Sequence, residues 1–393
     1  YYRYESWPQA RANADAAVAF FRRHPSVGLI GLHSHQLAGR VYLSVADLES
    51  AQRELVAGHA LLRERGRDAA QGLVMIAGDL ADLQQWIGQF AQGERTLRDA
   101  IAASERINGP EHGVTLVQRM ALADLLLQAG HSKEGAAIER EVRRAMDRAD
   151  ARLDAAWRRN AVYLLARSQY EYGRVAAALG PLRAAVDELA RELPRSGALA
   201  QRRRQLAEVL IALGRLDEAR AVLAAAERGW RDYTADANQP WMNGHLQLAR
   251  GRLLLAQGRA EEAVPVLQRI VPSRLPADAV IDIRLLRRDV VLAQAWVALR
   301  EPNRAIDAAD GVLAALRRIE APYSLPHLEA AAWQQIGQAR ALAGDTAGAR
   351  AALERALALR VEHEAPDSLW RERGAAALAQ LAAPHRSAHG PPP

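Results

Sequence analysis

Apolar residues recur along this chain at i, i+3, i+4 and i+7, the period of a helix that buries one face. Alanine- and leucine-rich segments of this kind fill the sequence, separated by short breakers, and no stretch alternates as a half-buried strand would. The pattern predicts an all-α protein. One residue placed at each tight helix–helix turn gives Val45, Gly88, Gly130, Gly173, Gly214, Gly258, Arg300 and Gly344, at intervals of 41 to 44 residues. Eight hairpins at so regular a period predict a solenoid, in which each repeat packs against its neighbours.

Two rows of small residues define how each hairpin closes. Seven residues before the turns stand Ala38, Ala81, Ala123, Ala166, Ala207, Gly251, Ala293 and Gly337. Five residues after them stand Ser50, Gly93, Gly135, Ala178, Ala219, Ala263, Ala305 and Ala349. Small side chains at both offsets let the paired helices approach closely. One residue before the first row, Leu37, Leu80, Leu122, Leu165, Leu206, Leu292 and Ile336 supply an apolar knob, and Arg250 is the departure.

These paired positions around a turn resemble the tetratricopeptide repeat (TPR). The stretches Ala-Leu-Gly-Arg-Leu-Asp-Glu-Ala at 212–219 and Ala-Gln-Gly-Arg-Ala-Glu-Glu-Ala at 256–263 carry the resemblance most fully. The common TPR period is about 34 residues. The longer period here is similar to the 42-residue kinesin-light-chain variant, as is the linker Gly-Pro-Glu-His-Gly-Val-Thr at 109–115. HEAT and armadillo repeats share a period of about 40–47 residues, and the paired small positions favour TPR over them. The resemblance implies a right-handed, TPR-type superhelical solenoid of about eight helical hairpins plus terminal helices. The first helix of each hairpin would line a concave groove. Long arginine- and alanine-rich arrays of this kind, with Glu-Ala-Pro-Asp-Ser-Leu-Trp at 364–370, also resemble the TPR regions of bacterial serine/threonine kinases and winged-helix regulators.

The period divides the chain into residues 1–27, the helix of an incomplete N-terminal repeat; 28–368, the eight-hairpin array; 369–383, a capping helix; and 384–393, a tail expected to be disordered. Prolines at 194, 240, 272, 276, 322, 326 and 366 mark the linkers between hairpins. The incomplete first repeat leads us to expect more protein upstream of Tyr1.

Composition narrows the chemistry. The 393 residues are half hydrophobic but only 5% aromatic, and none is cysteine, which excludes a disulfide scaffold, a thiolate metal site and a cysteine nucleophile. Lys133 is the single lysine, so arginine supplies nearly all of the 52 basic residues set against 46 acids. Most arginines alternate with acids, as a solvated helix face does. The one basic triplet, Arg202-Arg203-Arg204, has no interleaved aromatics, so no nucleic-acid partner is expected of this region. The longest uncharged stretch, residues 24–39, is too short and polar to span a bilayer, and no membrane association is expected. A cytoplasmic location is expected, with the periplasm left open.

No phosphate-binding loop, nucleophile elbow or paired-histidine zinc motif is present. His33 and His35 fall on different helix faces. Neither cofactor, metal nor catalysis is expected within these residues. The concave face is the candidate surface, and the resemblance places its residues thirteen, ten, nine, six and three positions before each turn. Those offsets select Asp79, Asp82 and Asp124 as an acidic wall, then Asn160, Tyr163, Arg167, Tyr170, Arg204, Gln205, Arg252 and Arg287. A planar guanidinium fork suits a carboxylate or phosphate, so Asn160, Arg167, Arg204, Arg252 and Arg287 form a candidate anion-binding groove for an acidic or phosphorylated segment. The competing reading pairs these arginines with Glu208 and neighbouring acids as structural ion pairs. The lysine-based clamp by which some TPR domains hold chaperone tails is not carried over, because the groove has no lysine.

The expected function is therefore a non-enzymatic protein–protein interaction scaffold, the partner- or peptide-recruiting region of a larger bacterial signalling regulator. The alternative is a signal-peptide or small-ligand receptor of the TPR quorum-sensing type, which would need an enclosed superhelix with a central pocket.

Overall fold

The computed structural model describes residues 7–24, 28–64, 70–149, 155–233 and 240–382. Among these residues the chain forms helices and no multi-residue strand. After α1 (Trp7–Arg23), helices follow in pairs: α2 (Gly28–Ser44) with α3 (Leu48–Glu64), α4 (Ala70–Trp86) with α5 (Phe90–Asn108), α6 (Gly113–Gln128) with α7 (Ser132–Ala149), and α8 (Ala155–Glu171) with α9 (Val175–Glu192). The second half continues with α10 (Gly197–Ala212) and α11 (Leu216–Tyr233), α12 (Pro240–Ala256) and α13 (Ala260–Gln268), α14 (Ile283–Ala298) and α15 (Pro302–Leu316), and α16 (Pro326–Leu342) and α17 (Thr346–His363). Helix α18 (Leu369–Ala382) packs on α17. The tail from Pro384 lies outside the described residues.

A left-handed residue stands at every hairpin turn. Glycine takes it at 88, 130, 173, 214, 258 and 344, and Ala46 and Arg300 take it with φ 58°. The first turn is thus centred on Ala46, one residue beyond the Val45 expected from the spacing, because a β-branched side chain resists that conformation. The small positions of the first hairpin shift with it to Gly39 and Ala51, both buried.

The small residues face one another across the hairpin. A Cβ on Gly135 would lie 2.9 Å from the Ala123 carbonyl oxygen, and one on Gly337 would lie 3.1 Å from that of Ala349. Gly39, Gly251 and Gly337 each lie beneath a leucine of the second helix, where a Cβ would come within 2.5–2.7 Å of Leu55, Leu267 or Leu353. Helix crossing this close leaves no room for a larger residue at either row.

The array then winds back on itself, so that linkers late in the chain lie on turns early in it. Arg274 N–H donates to the Ala46 carbonyl at 2.9 Å, and Glu49 N–H donates to the Arg274 carbonyl at 3.1 Å. Val280 and Ile281 both donate to the Ile87 carbonyl, Ser324 donates to Ala129, and Leu369 donates to Gly173. The carbonyls of Ala46, Ile87, Ala129 and Gly173 each lie just past a helix C-terminus, where intrahelical partners run out. Tyr323 wedges between two early hairpins, its ring stacked 5.1 Å from His131 and 6.3 Å from Phe90, while its hydroxyl donates to Glu94 at 3.0 Å. One apolar cluster accordingly joins Phe90 and Leu126 to Leu313 and Ile336.

Helix α13 has only nine residues. Pro265 lies inside it and Pro272 and Pro276 follow it, so residues 269–282 leave the helix and become the strap that covers the first two turns. Nothing in the repeat period anticipates that strap.

Candidate ligand-binding lumen

The winding leaves a half-open cavity of about 680 Å³ on the inner side of the array. Its walls come from the first helices α8, α10, α12, α14 and α16, with α4 at one edge and the ends of α17 and α18 at another. Polar and apolar positions alternate along these helices, so Ile211, Leu248, Val290 and Val291 stand among arginines and glutamines.

Eight of the eleven candidate residues, Asp82, Tyr163, Arg167, Tyr170, Arg204, Gln205, Arg252 and Arg287, stand on this one wall. Asn160, Asp79 and Asp124 do not. Asn160 is exposed at the start of α8, where its Oδ1 accepts from Arg202 at 3.1 Å. Asp124 is wholly buried between α6 and α8, and Arg167 grips it through Nε at 3.0 Å and Nη2 at 2.5 Å. Of the acidic wall expected at Asp79, Asp82 and Asp124, Asp82 lines the cavity, while stacking of α8 on α6 covers Asp124, and Gln36 and Arg40 each donate to Asp79 at 2.8 Å.

The position six residues before the turn forms a ladder of ion pairs between successive hairpins. Arg167 reaches back to Asp124, and Arg252 Nη1 reaches back to Glu208 Oε1 at 3.0 Å. Arg204 Nη1 holds the other Glu208 oxygen at 2.6 Å. Arg287 donates to Gln128 at 3.2 Å and to Glu171 at 3.4 Å, partners that lie more than a hundred residues earlier. The structural pairing is thus formed at each of these arginines.

The local field is uneven. Burial works against the Arg167 charge, but Asp124, Tyr163 and Asp82 outweigh it and raise its pKa. Asp82 is pushed up to about 6 by burial, which Arg167 only partly offsets. His245 is held well below the usual imidazole range, first by burial and then by Arg204, Arg284, Arg287 and Arg252. Behind the wall, buried Arg202 packs over the Tyr163 ring and drops to about 10 through desolvation.

His327, Arg360, Glu364, Trp370 and Arg373 complete the cavity, and sequence reasoning did not select them. Arg360 donates to Gln334 at 2.8 Å, and Trp370 Nε1 reaches the Tyr170 carbonyl at 3.5 Å. These residues lie at helix starts and ends outside the groove offsets, and only the winding brings them inside. Among the described residues no group of three His, Cys, Asp or Glu is placed to hold a metal ion, and no helix is long and apolar enough to cross a membrane.

Scans against protein-family models and curated proteins give no match. The described residues form an all-α array of stacked helical hairpins. Among solved structures, a tetratricopeptide repeat protein from Parabacteroides merdae aligns at TM-score 0.41 with 14% identity, over 80% of this chain and 99% of that one. The human IFIT1 dimer with PPP-AAAA aligns at TM-score 0.42 and 15% identity, over 89% and 78%. BtubC (BKLC) from P. vanneervenii aligns at TM-score 0.31 and 18% identity, over 70% and 90%. Scores this low bear on neither ligand nor partner.

Proposed function

We propose that this TPR-like array is a non-enzymatic binding module whose recognition surface is the half-open lumen, and that its occupant is a short peptide segment or a small ligand. The narrowing of the groove by α18 supports this reading. A fully open concave face would admit a helix or a folded partner, whereas here Trp370 of α18 packs against Tyr170 with ring centroids 5.8 Å apart, and Arg373 lines the same cavity as Arg204. A volume of about 680 Å³ falls within the range of roughly 300–1,000 Å³ typical of sites that bury a small ligand. Mixed apolar and polar walls suit a peptide better than a purely apolar molecule. As the ligand-sensing part of a larger signalling regulator, such a lumen would report its occupancy through the turn-on-linker contacts that close it. The test is a thermal-shift and calorimetric screen of short peptides and small metabolites on the whole chain, beside an Ala331→Trp variant that fills the cavity from α16. Ligands bound by the parent and lost by a normally folded Ala331→Trp protein support the lumen. Ligands bound equally by both would place recognition elsewhere.

A further inference from the structure

Six arginines line the lumen, and three of them stand on neighbouring first helices. Arg204, Arg252 and Arg287 come from α10, α12 and α14, three consecutive first helices, and all face the same cavity. They share two carboxylates. Glu208 serves both Arg204 and Arg252, and Glu171 serves Arg287 at 3.4 Å. A guanidinium carries five N–H donors, so these contacts leave donor capacity unused, and the buried Nε of Arg204 has no hydrogen-bond partner.

We propose that the Arg204–Arg252–Arg287 wall binds an oxyanion group, carboxylate or phosphate, carried by the occupant of the lumen, an inference that rests on the lumen reading above. Three arginines against two carboxylates leave a surplus positive charge in a partly enclosed space, where an incoming anion is screened less than at an open surface. His245 stands among these arginines, and their field together with burial keeps its imidazole neutral, so the wall adds no second titrating cation at neutral pH. Apolar side chains of the same helices, Leu248, Val290 and Val291, lie beside the arginines and would receive the body of the ligand. Glu208 acts as an internal placeholder. It occupies the two forks that an external anion would use, and so it sets a threshold affinity that weak anions do not reach.

The competition makes the inference testable with a single isosteric change. The whole chain is titrated calorimetrically, at low salt, with an acetylated tetraglutamate amide, its tetraglutamine counterpart and a phosphoserine-containing analogue. The tetraglutamate or phosphoserine peptide is expected to bind the parent at least about tenfold tighter than tetraglutamine, and the order of the two acidic probes tells carboxylate from phosphate recognition. Glu208→Gln frees two guanidinium forks at unchanged volume and is expected to tighten the acidic probes by about fivefold or more, while Arg252→Gln weakens them by about tenfold. Equal affinity for acidic and neutral probes, or an affinity unmoved by Glu208→Gln, overturns the inference. If tetraglutamine binds as tightly as the acidic probes and Ala331→Trp abolishes all of this binding, the lumen reading stands and only the oxyanion wall fails. Should Arg252→Gln not fold, Glu208→Gln alone decides, because it requires a gain rather than a loss.

Discussion

Ser368 sits directly on the turn at Gly173. A Cβ on that glycine would lie 2.5 Å from the Ser368 Cβ and 3.1 Å from its Cα, and the neighbouring Leu369 N–H donates to the Gly173 carbonyl at 3.0 Å. Gly88 and Gly130 are covered in the same way by Ile281 and Ser324, whereas a Cβ on Gly214, Gly258 or Gly344 would meet nothing from elsewhere in the fold within 4 Å. The turn glycines therefore form two classes. All need the left-handed conformation, but only the covered ones also need the missing side chain.

That division predicts unequal costs for one chemical change. Gly214→Ala adds only the left-handed penalty and is expected to cost about 1–2 kcal/mol. Gly173→Ala adds an overlap with backbone that cannot rotate away, for a further cost of about 1–3 kcal/mol. Urea-unfolding midpoints of the two variants check the order. Equal midpoints would mean that the linker does not press on the turn.

Tyr323 is the aromatic anchor between layers. Tyr323→Ala removes its ring from between His131 and Phe90 and its hydrogen bond to Glu94, and leaves every hairpin intact. The expected result is near-normal helicity by circular dichroism with a larger radius of gyration by small-angle X-ray scattering. An unchanged radius would show that the backbone bonds alone hold the layers.

Asp124 and Arg167 behave as a structural pair. Asp124→Ala strands a guanidinium against a buried surface and is expected to cost about 3–5 kcal/mol, and Arg167→Ala a similar amount. The double change Asp124→Ala with Arg167→Ala should cost clearly less than the two single changes added together, which a double-mutant cycle measures. Arg167 is consequently a poor probe of ligand binding, since its loss acts on the fold first.

Asp82 supplies a pH signature. Its folded pKa of about 6 lies above the ordinary carboxylate value of 3.8, because burial disfavours the charge. The folded state therefore holds a proton that the unfolded state releases between these two values, and stability falls as pH rises through that window. Asp82→Asn removes this loss. Its melting temperature relative to the parent is expected to be highest above about pH 6.5 and to decline toward pH 4, which differential scanning calorimetry across that range reads directly.

The hairpins were legible because everything that makes them lies within one repeat. Ala123 and Gly135 meet across a single turn, Leu55 covers Gly39, and the ladder from Arg167 to Asp124 joins adjacent repeats at a fixed offset. The one slip, Val45 for Ala46, arose where no glycine marked the turn. The candidate wall was legible for the same reason, since groove offsets repeat with the period. Asn160 and Asp124 fell outside it because an offset says which way a residue faces, not what packs over it.

The winding was not legible. How far the array turns per hairpin depends on small rotations at each interface, and these sum along the chain. No local signal encodes that Arg174 will meet Asp367 at 3.1 Å, or that Arg287 will reach Glu171. The sequence by itself determined an all-α array of eight hairpins and the rows of residues on its inner face. The tertiary structure alone decided that the inner face narrows into a half-open cavity, because that narrowing depends on contacts between residues more than a hundred positions apart.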